Sequence, residues 1–233
     1  MAAAASGGMM VPDIDGIVDL FIRAFPQLNA NDRRLALTLY RLLARGAPTP
    51  VEDLAKASRL PVNYASETLA RWPGVFYDER HAVIGFWGIA IQEMTHHLEM
   101  NGNTAYTWCA WDSLFIPELL GVIGRVTSTC AETGDVIELM VSRNGIDSRK
   151  PGGTVISFVA PDEADLRKNV TVSFCHLVHF LRDRIAGERW ISRHDGAFLL
   201  SLDDAFEIGK KVNHARYRDT VKIKRRTTGH GDA

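Results

Sequence analysis

Cys109 and Asp112 stand three residues apart in Tyr106-Thr107-Trp108-Cys109-Ala110-Trp111-Asp112. A second thiol, Cys175, lies far downstream in Ser173-Phe174-Cys175-His176-Leu177-Val178-His179-Phe180. Two thiols with a proton carrier beside one of them suit a soft, thiophilic electrophile and a reaction that places a proton on whatever leaves. A redox pair would read Cys-x-x-Cys, and a structural zinc site would normally supply two such pairs or a Cys pair and a His pair. Neither pattern is present. The remaining cysteine, Cys130, sits beside a predicted turn and reads as a small buried hydrophobe. His176 and His179 leave a Cys/His zinc site as an alternative, although on a continuing strand His176 would face away from Cys175.

Three segments carry a family resemblance: Tyr106 to Gly121, Ser128-Thr129-Cys130-Ala131-Glu132-Thr133-Gly134, and Ser173 to Phe180. In order and spacing they closely resemble the alkylmercury (organomercurial) lyases, from about Ala82 to about Tyr217, with weaker similarity before that. The family's catalytic Cys-x-x-Asp falls on Cys109 and Asp112, and its second catalytic cysteine on Cys175. Some members carry a further cysteine directly after the latter, where this chain has His176. The resemblance implies carbon–mercury bond cleavage by protonolysis, an organomercurial substrate, and Hg(II) held as product by Cys109, Cys175 and Asp112.

The groups themselves define a chemistry. An ordinary thiol is only ~3% ionised at pH 7, yet the thiolate is the mercury ligand. An ionised Asp112 would raise a neighbouring thiol's pKa, so it reads as a proton carrier rather than a thiolate stabiliser. In the expected sequence Cys109 captures R–Hg, and Asp112 takes the proton from Cys175, whose thiolate adds as second ligand. Asp112 then returns that proton to the mercury-bound carbon. No cofactor is required, because the thiols supply both protons. Product Hg(II) should leave to external thiols, either small cytosolic ones or, as the resemblance implies, the cysteines of a mercuric reductase. The alternative function is a thiol-based mercury- or metal-sensing winged-helix transcription regulator.

Bulk properties bound the rest. A net charge of -1 and a pI near 6.7 provide no general attraction to nucleic acid or to an anionic membrane surface. Three widely spaced cysteines are not a disulfide framework and point to a reducing, cytoplasmic location. No apolar run reaches the ~18 residues of a membrane span. The start, Met1-Ala2-Ala3-Ala4-Ala5-Ser6-Gly7-Gly8, lacks the features of a secretion signal.

The elements that must position the three groups fall into two textures. Residues 1–28 are expected to be a flexible segment, 29–87 a winged-helix-like helical domain, 88–220 the catalytic domain, and 221–233 a basic flexible tail. The expected fold is α+β, with a mixed, largely antiparallel sheet and helices in the catalytic part. Leu35, Leu39, Leu42 and Leu43 keep helical spacing up to Gly46. Thr49-Pro50-Val51-Glu52 reads as a capped start with Thr49 as N-cap, and a further helix runs from about Val62 to Arg71. Val75 to Tyr77 and Ala82 to Trp87 form a predicted hairpin. Further strands are expected at Arg125 to Thr129, Val136 to Val141, Thr154 to Val159 and Val170 to Phe174, with a helix after Ser201. The Val62–Arg71 helix offers one Arg against one Glu, too little charge for DNA, so a packing module is the favoured reading.

Overall fold

Antiparallel pairing dominates the architecture. A computed structural model describes residues 13–160 and 174–218. The expectations for Met1 to Gly8, for positions 170–173 of the Val170 to Phe174 strand, and for the basic tail lie outside those residues. The helices are α1 (Ile14–Ala24), α2 (Ala30–Leu43), α3 (Val51–Ser58), α4 (Val62–Arg71), α5 (Asp112–Leu120), α6 (Arg184–Ile191) and α7 (Leu202–Tyr217). The larger sheet contains β1 (Val75–Tyr77), β2 (Val83–Phe86), β3 (Ile89–Ala90), β4 (His96–Met100), β5 (Asn103–Thr107), β6 (Gly124–Thr129), β7 (Val136–Ser142) and β8 (Gly145–Lys150). Its order is β1-β2-β3-β5-β4-β6-β7-β8. A three-stranded sheet has the order β10-β9-β11, from β9 (Val155–Val159), β10 (Phe180–Leu181) and β11 (Ala197–Ser201). The α+β class with an antiparallel sheet is as the sequence indicates.

Several local expectations hold for stated reasons. The β6–β7 hairpin turns at Gly134, whose φ of 74° favours a residue without a Cβ. Ser201 caps α7, its Oγ accepting from the Asp204 N–H at 3.0 Å. Gly46, at φ 73°, closes the turn that follows α2, its N–H donating to the Leu43 carbonyl at 2.9 Å, and a capping box on Asn29 starts the helix.

Other expectations need correction. Residues 14–24 are not part of a flexible end: Ile14, Ile17, Val18 and Phe21 form an apolar stripe, and α1 packs it mainly on α7. Ile17 and Phe21 are fully buried, and burying a side chain of that size contributes roughly 1.5–3 kcal/mol. Thr49 does not cap α3; Pro50 is the N-cap, without a side-chain bond. Thr49 is occupied instead by a two-way backbone bridge to Val83, at 2.9 and 2.8 Å. The β1–β2 hairpin is the edge of the eight-stranded sheet, and the ladder continues from Phe86 to Ile89, across the boundary expected at 87/88. Cys175–Leu177 is a single 3-10 turn rather than the continuation of a strand, so the strand argument for His176 does not apply.

Tight contacts lock α5 against α7. Asn213 donates to the Phe115 carbonyl at 3.0 Å and to the buried Glu118 carboxylate at 2.8 Å, and Arg218 pairs with the same carboxylate. Trp111 Nε1 donates to the Ala205 carbonyl at 2.8 Å. Gly209 is required at this crossing, because a Cβ there would lie 2.5 Å from the Phe115 Cβ.

Candidate active site

The first thiol is placed by the way β5 ends. Beyond Thr107 the chain turns, and the Thr107 hydroxyl donates to the Cys109 carbonyl at 3.0 Å. Asp112 opens α5, and its Oδ2 accepts the Cys109 N–H at 3.0 Å. The three-residue spacing therefore folds the carboxylate back over its own cysteine. Ser113 reinforces the turn by donating to the Ala110 carbonyl at 2.7 Å.

The second thiol arrives on the Cys175–Leu177 turn, which two anchors hold. Ser157 on β9 donates to the Leu177 carbonyl at 2.8 Å and accepts the His179 N–H at 2.9 Å. The Ala110 N–H then donates to the Val178 carbonyl at 3.2 Å, tying the two cysteine turns together. As a result Cys109, Asp112 and Cys175 place one ligand atom each within 4.8 Å of one another, and all three residues are buried. One soft ion could bridge them. Among the described residues this cluster contains no histidine. His179 Nε2 bonds instead to the His176 carbonyl at 2.8 Å, and the buried Cys130 sulfur accepts the Arg182 N–H at 3.3 Å. Cys130 is buried, as expected of a small hydrophobe.

Electrostatics prepares the cluster for proton transfer. Burial pushes Asp112 from the ordinary 3.8 up to about 7, although hydrogen bonds from Cys109 oppose the rise. Its place in the first turn of α5 also favours the anion, but such a helix-end effect is worth ~0.3–2 kcal/mol and burial prevails. Burial, then the bond to the Cys175 sulfur and the Asp112 charge, hold Cys109 well above the ordinary thiol range. For Cys175 the hydrogen bond from Cys109 acts downward, yet burial and Asp112 outweigh it and the thiol remains raised. At neutral pH the resting cluster thus holds two thiols and a carboxyl poised to gain or lose a proton.

The raised Asp112 makes stability depend on pH with a definite sign. Its folded pKa lies above the unfolded one, so its contribution is intact below about pH 4 and is lost as pH rises through about 7. The displacement corresponds to about 4 kcal/mol at most. Asp112→Asn is therefore expected to be more stable than the parent at pH 8, with the gap closing toward pH 4. Thermal denaturation across that range checks this, and a gap that stays constant with pH would contradict it.

Gly88 faces the same carboxylate, and nothing in the sequence marks it. Its φ is 99°, and a Cβ there would lie 2.5 Å from Asp112 Oδ1. Gly88→Ala should displace Asp112 and strain the backbone, costing about 1–3 kcal/mol of stability along with most activity. Melting temperature and turnover measured on one preparation test both parts, and a variant turning over at the parent rate would show that Asp112 has room to move.

A cavity adjoins the cluster, walled by Asp112 and Cys175 and by aromatic residues including Phe21, Trp87, Trp111 and Phe174. Its volume is about 40 Å³, room for a small alkyl group. Trp108 and Phe115 line it as well. Phe180 does not; it packs edge-on against His96 at 5.6 Å. Sequence reasoning missed Phe21, Phe25 and Arg216. The 3–4 residue periodicity of α1 could have revealed the first two, whereas no signal marks Arg216.

The chain is similar to proteins of known family. The alkylmercury lyase family profile matches residues 89–214. The alkylmercury lyase of Staphylococcus epidermidis is 35% identical over 182 residues, 78% of this chain and 82% of that protein. That of Streptomyces lividans is 36% identical over 177 residues, covering 76% and 80%, and that of Pseudomonas putida 34% over 188 residues, covering 81% and 87%. A solved structure described as the mercury-bound form of MerB2 shares the fold, with a TM-score of 0.73 and 18% identity over 86% of this chain and 98% of that one.

Proposed function

Because the chain belongs to the alkylmercury lyase family, we propose that Cys109, Asp112 and Cys175 are the groups with which it cleaves the carbon–mercury bond of an organomercurial. The activity is that of an organomercurial lyase; the division of labour below is our reading. The convergence of two thiols on a carboxyl with a pKa of about 7 carries it. General acid–base groups act best when their pKa lies near the working pH.

Cys175 forms part of the cavity wall while Cys109 does not. On that ground we give Cys175, in place of the Cys109 expected from sequence, the first contact with R–Hg–X, its proton leaving with X⁻. Asp112 takes the proton of Cys109, which lies close enough to affect the carboxyl directly. The Cys109 thiolate adds to mercury, and donation from two sulfurs makes the mercury-bound carbon more basic. Asp112 delivers its proton to that carbon as the bond breaks. R–H leaves, and Hg(II) remains on the two sulfurs with an Asp112 oxygen nearby. The balance is R–Hg–X plus two thiols giving R–H, HX and a mercury bis-thiolate, so no redox cofactor enters. Small thiols, or the cysteines of a mercuric reductase, would then take Hg(II) away by ligand exchange. Such acceptors fit a cytoplasmic setting. Among the described residues no helix is long and apolar enough to cross a membrane.

A regulator is not favoured. The helix that would read DNA, α4, turns Ala65, Thr68 and Leu69 into the core and exposes only Arg71 as a cation. The helices of residues 29–87 serve better as a layer packed on the sheet. Gas chromatography of hydrocarbon released from phenylmercury or methylmercury with excess thiol tests the enzyme reading. Promoter-specific DNA binding reversed by Hg(II), without hydrocarbon release, would replace it with the regulator.

A further inference from the structure

Arg216, near the end of α7, lines the same cavity as Asp112 and Cys175. Its guanidinium carbon lies 4.4 Å from the ring centre of Phe25 and 4.5 Å from that of Trp87. Two of its nitrogens, Nε and Nη2, are buried and have no hydrogen-bond partner among the described residues. No ion pair joins it to Asp112, whose Oδ2 is taken by the Cys109 N–H. Aromatic faces attract a guanidinium but do not accept its in-plane N–H groups. A buried donor left without an acceptor is unfavourable and rare.

A carboxylate satisfies such a fork best, since its two oxygens match two in-plane N–H groups. Resting on the lyase reading above, we propose that Arg216 is a specificity residue that binds a carboxylate carried into the cavity with the mercury. The carboxylate sits either on the organic group or on the thiol that accompanies the substrate as X. Mercury then engages the Cys175 end of the cavity while Arg216 holds the anionic end.

The test compares 2-carboxyethylmercury with propylmercury, both in 2-mercaptoethanol, and then propylmercury with 3-mercaptopropionate replacing that neutral thiol. In at least one arm kcat/KM should rise with the carboxylate by about 10- to 100-fold, the range of a charge-assisted hydrogen bond. Arg216→Gln should erase that ratio, and the arm that responds identifies the source of the carboxylate. A ratio read within one preparation cancels any loss of folded protein. A binding measurement independent of turnover accompanies it: propionate, unlike propionamide, should change the tryptophan fluorescence of the parent protein saturably, because Trp87 stacks on the guanidinium. The absence of a carboxylate gain in both arms, or an equal response to propionate and propionamide, would overturn the assignment. Failure to release any propane would count against the lyase reading and leave the fluorescence result to decide on Arg216.

Discussion

Cys175→Ser is expected to lose both capture of the organomercurial and its cleavage. A serine hydroxyl is a hard ligand that scarcely ionises near neutral pH, so the position proposed to meet mercury first should no longer bind it. Cys109→Ser should differ in an informative way. Cys175 still lines the cavity in that variant, so one R–Hg per chain should be captured and retained without hydrocarbon release. Turnover in both should fall by at least the ~100- to 10,000-fold associated with removing an acid–base group. Intact-protein mass spectrometry reads the capture, and chromatography reads the release. Cys130→Ser should keep turnover and lose only some stability, because that sulfur serves the Arg182 N–H. An active Cys175→Ser protein alongside a folded but inactive Cys130→Ser one would refute the assignment of the thiols.

Asp112→Asn should separate binding from protonation. The amide oxygen can still accept the Cys109 N–H that Oδ2 now takes at 3.0 Å, so the turn should survive. What disappears is the titratable oxygen that, in the proposed sequence, receives a thiol proton and hands it to carbon. Cys175 should capture R–Hg normally, while hydrocarbon release falls ~100- to 10,000-fold. The same substitution removes a buried carboxyl, so the slow variant should also be the more stable one at pH 8, which excludes misfolding as the cause of the loss. Release at the parent rate would strip Asp112 of its role. A failure to capture R–Hg at all would recast it as a residue that only shapes the turn.

The sequence revealed most where a single residue carries a local rule. Ser201 before α7 and the Gly134 turn between β6 and β7 are of that kind. Cys109 and Asp112 were legible as a thiol three residues from a proton carrier on which the family pattern falls, whereas the helix start that turns the carboxylate back to the Cys109 N–H was not. Joining Cys175 to them took the family pattern, because their meeting depends on long-range backbone bonds such as Ala110 to Val178. Gly88 and Arg216 were hidden because their importance lies in what crosses the cavity from another element. Thr49 misled because a good capping residue was already committed to a bridge with Val83. The α1 stripe is present in the sequence, but the Ala- and Gly-rich start beside it carries the composition of a loose end.

The central claim is that the three groups complete one protonolysis without outside help, and a single-turnover experiment without added thiol tests it most directly. Parent protein mixed with excess phenylmercury should release one benzene per chain and then stop. Mass spectrometry should then show one Hg(II) on each chain, with Cys109 and Cys175 both protected from alkylation and Cys130 not ligating the metal. Benzene release continuing beyond one equivalent without thiol, or mercury held with both Cys109 and Cys175 still free to react, would contradict the account.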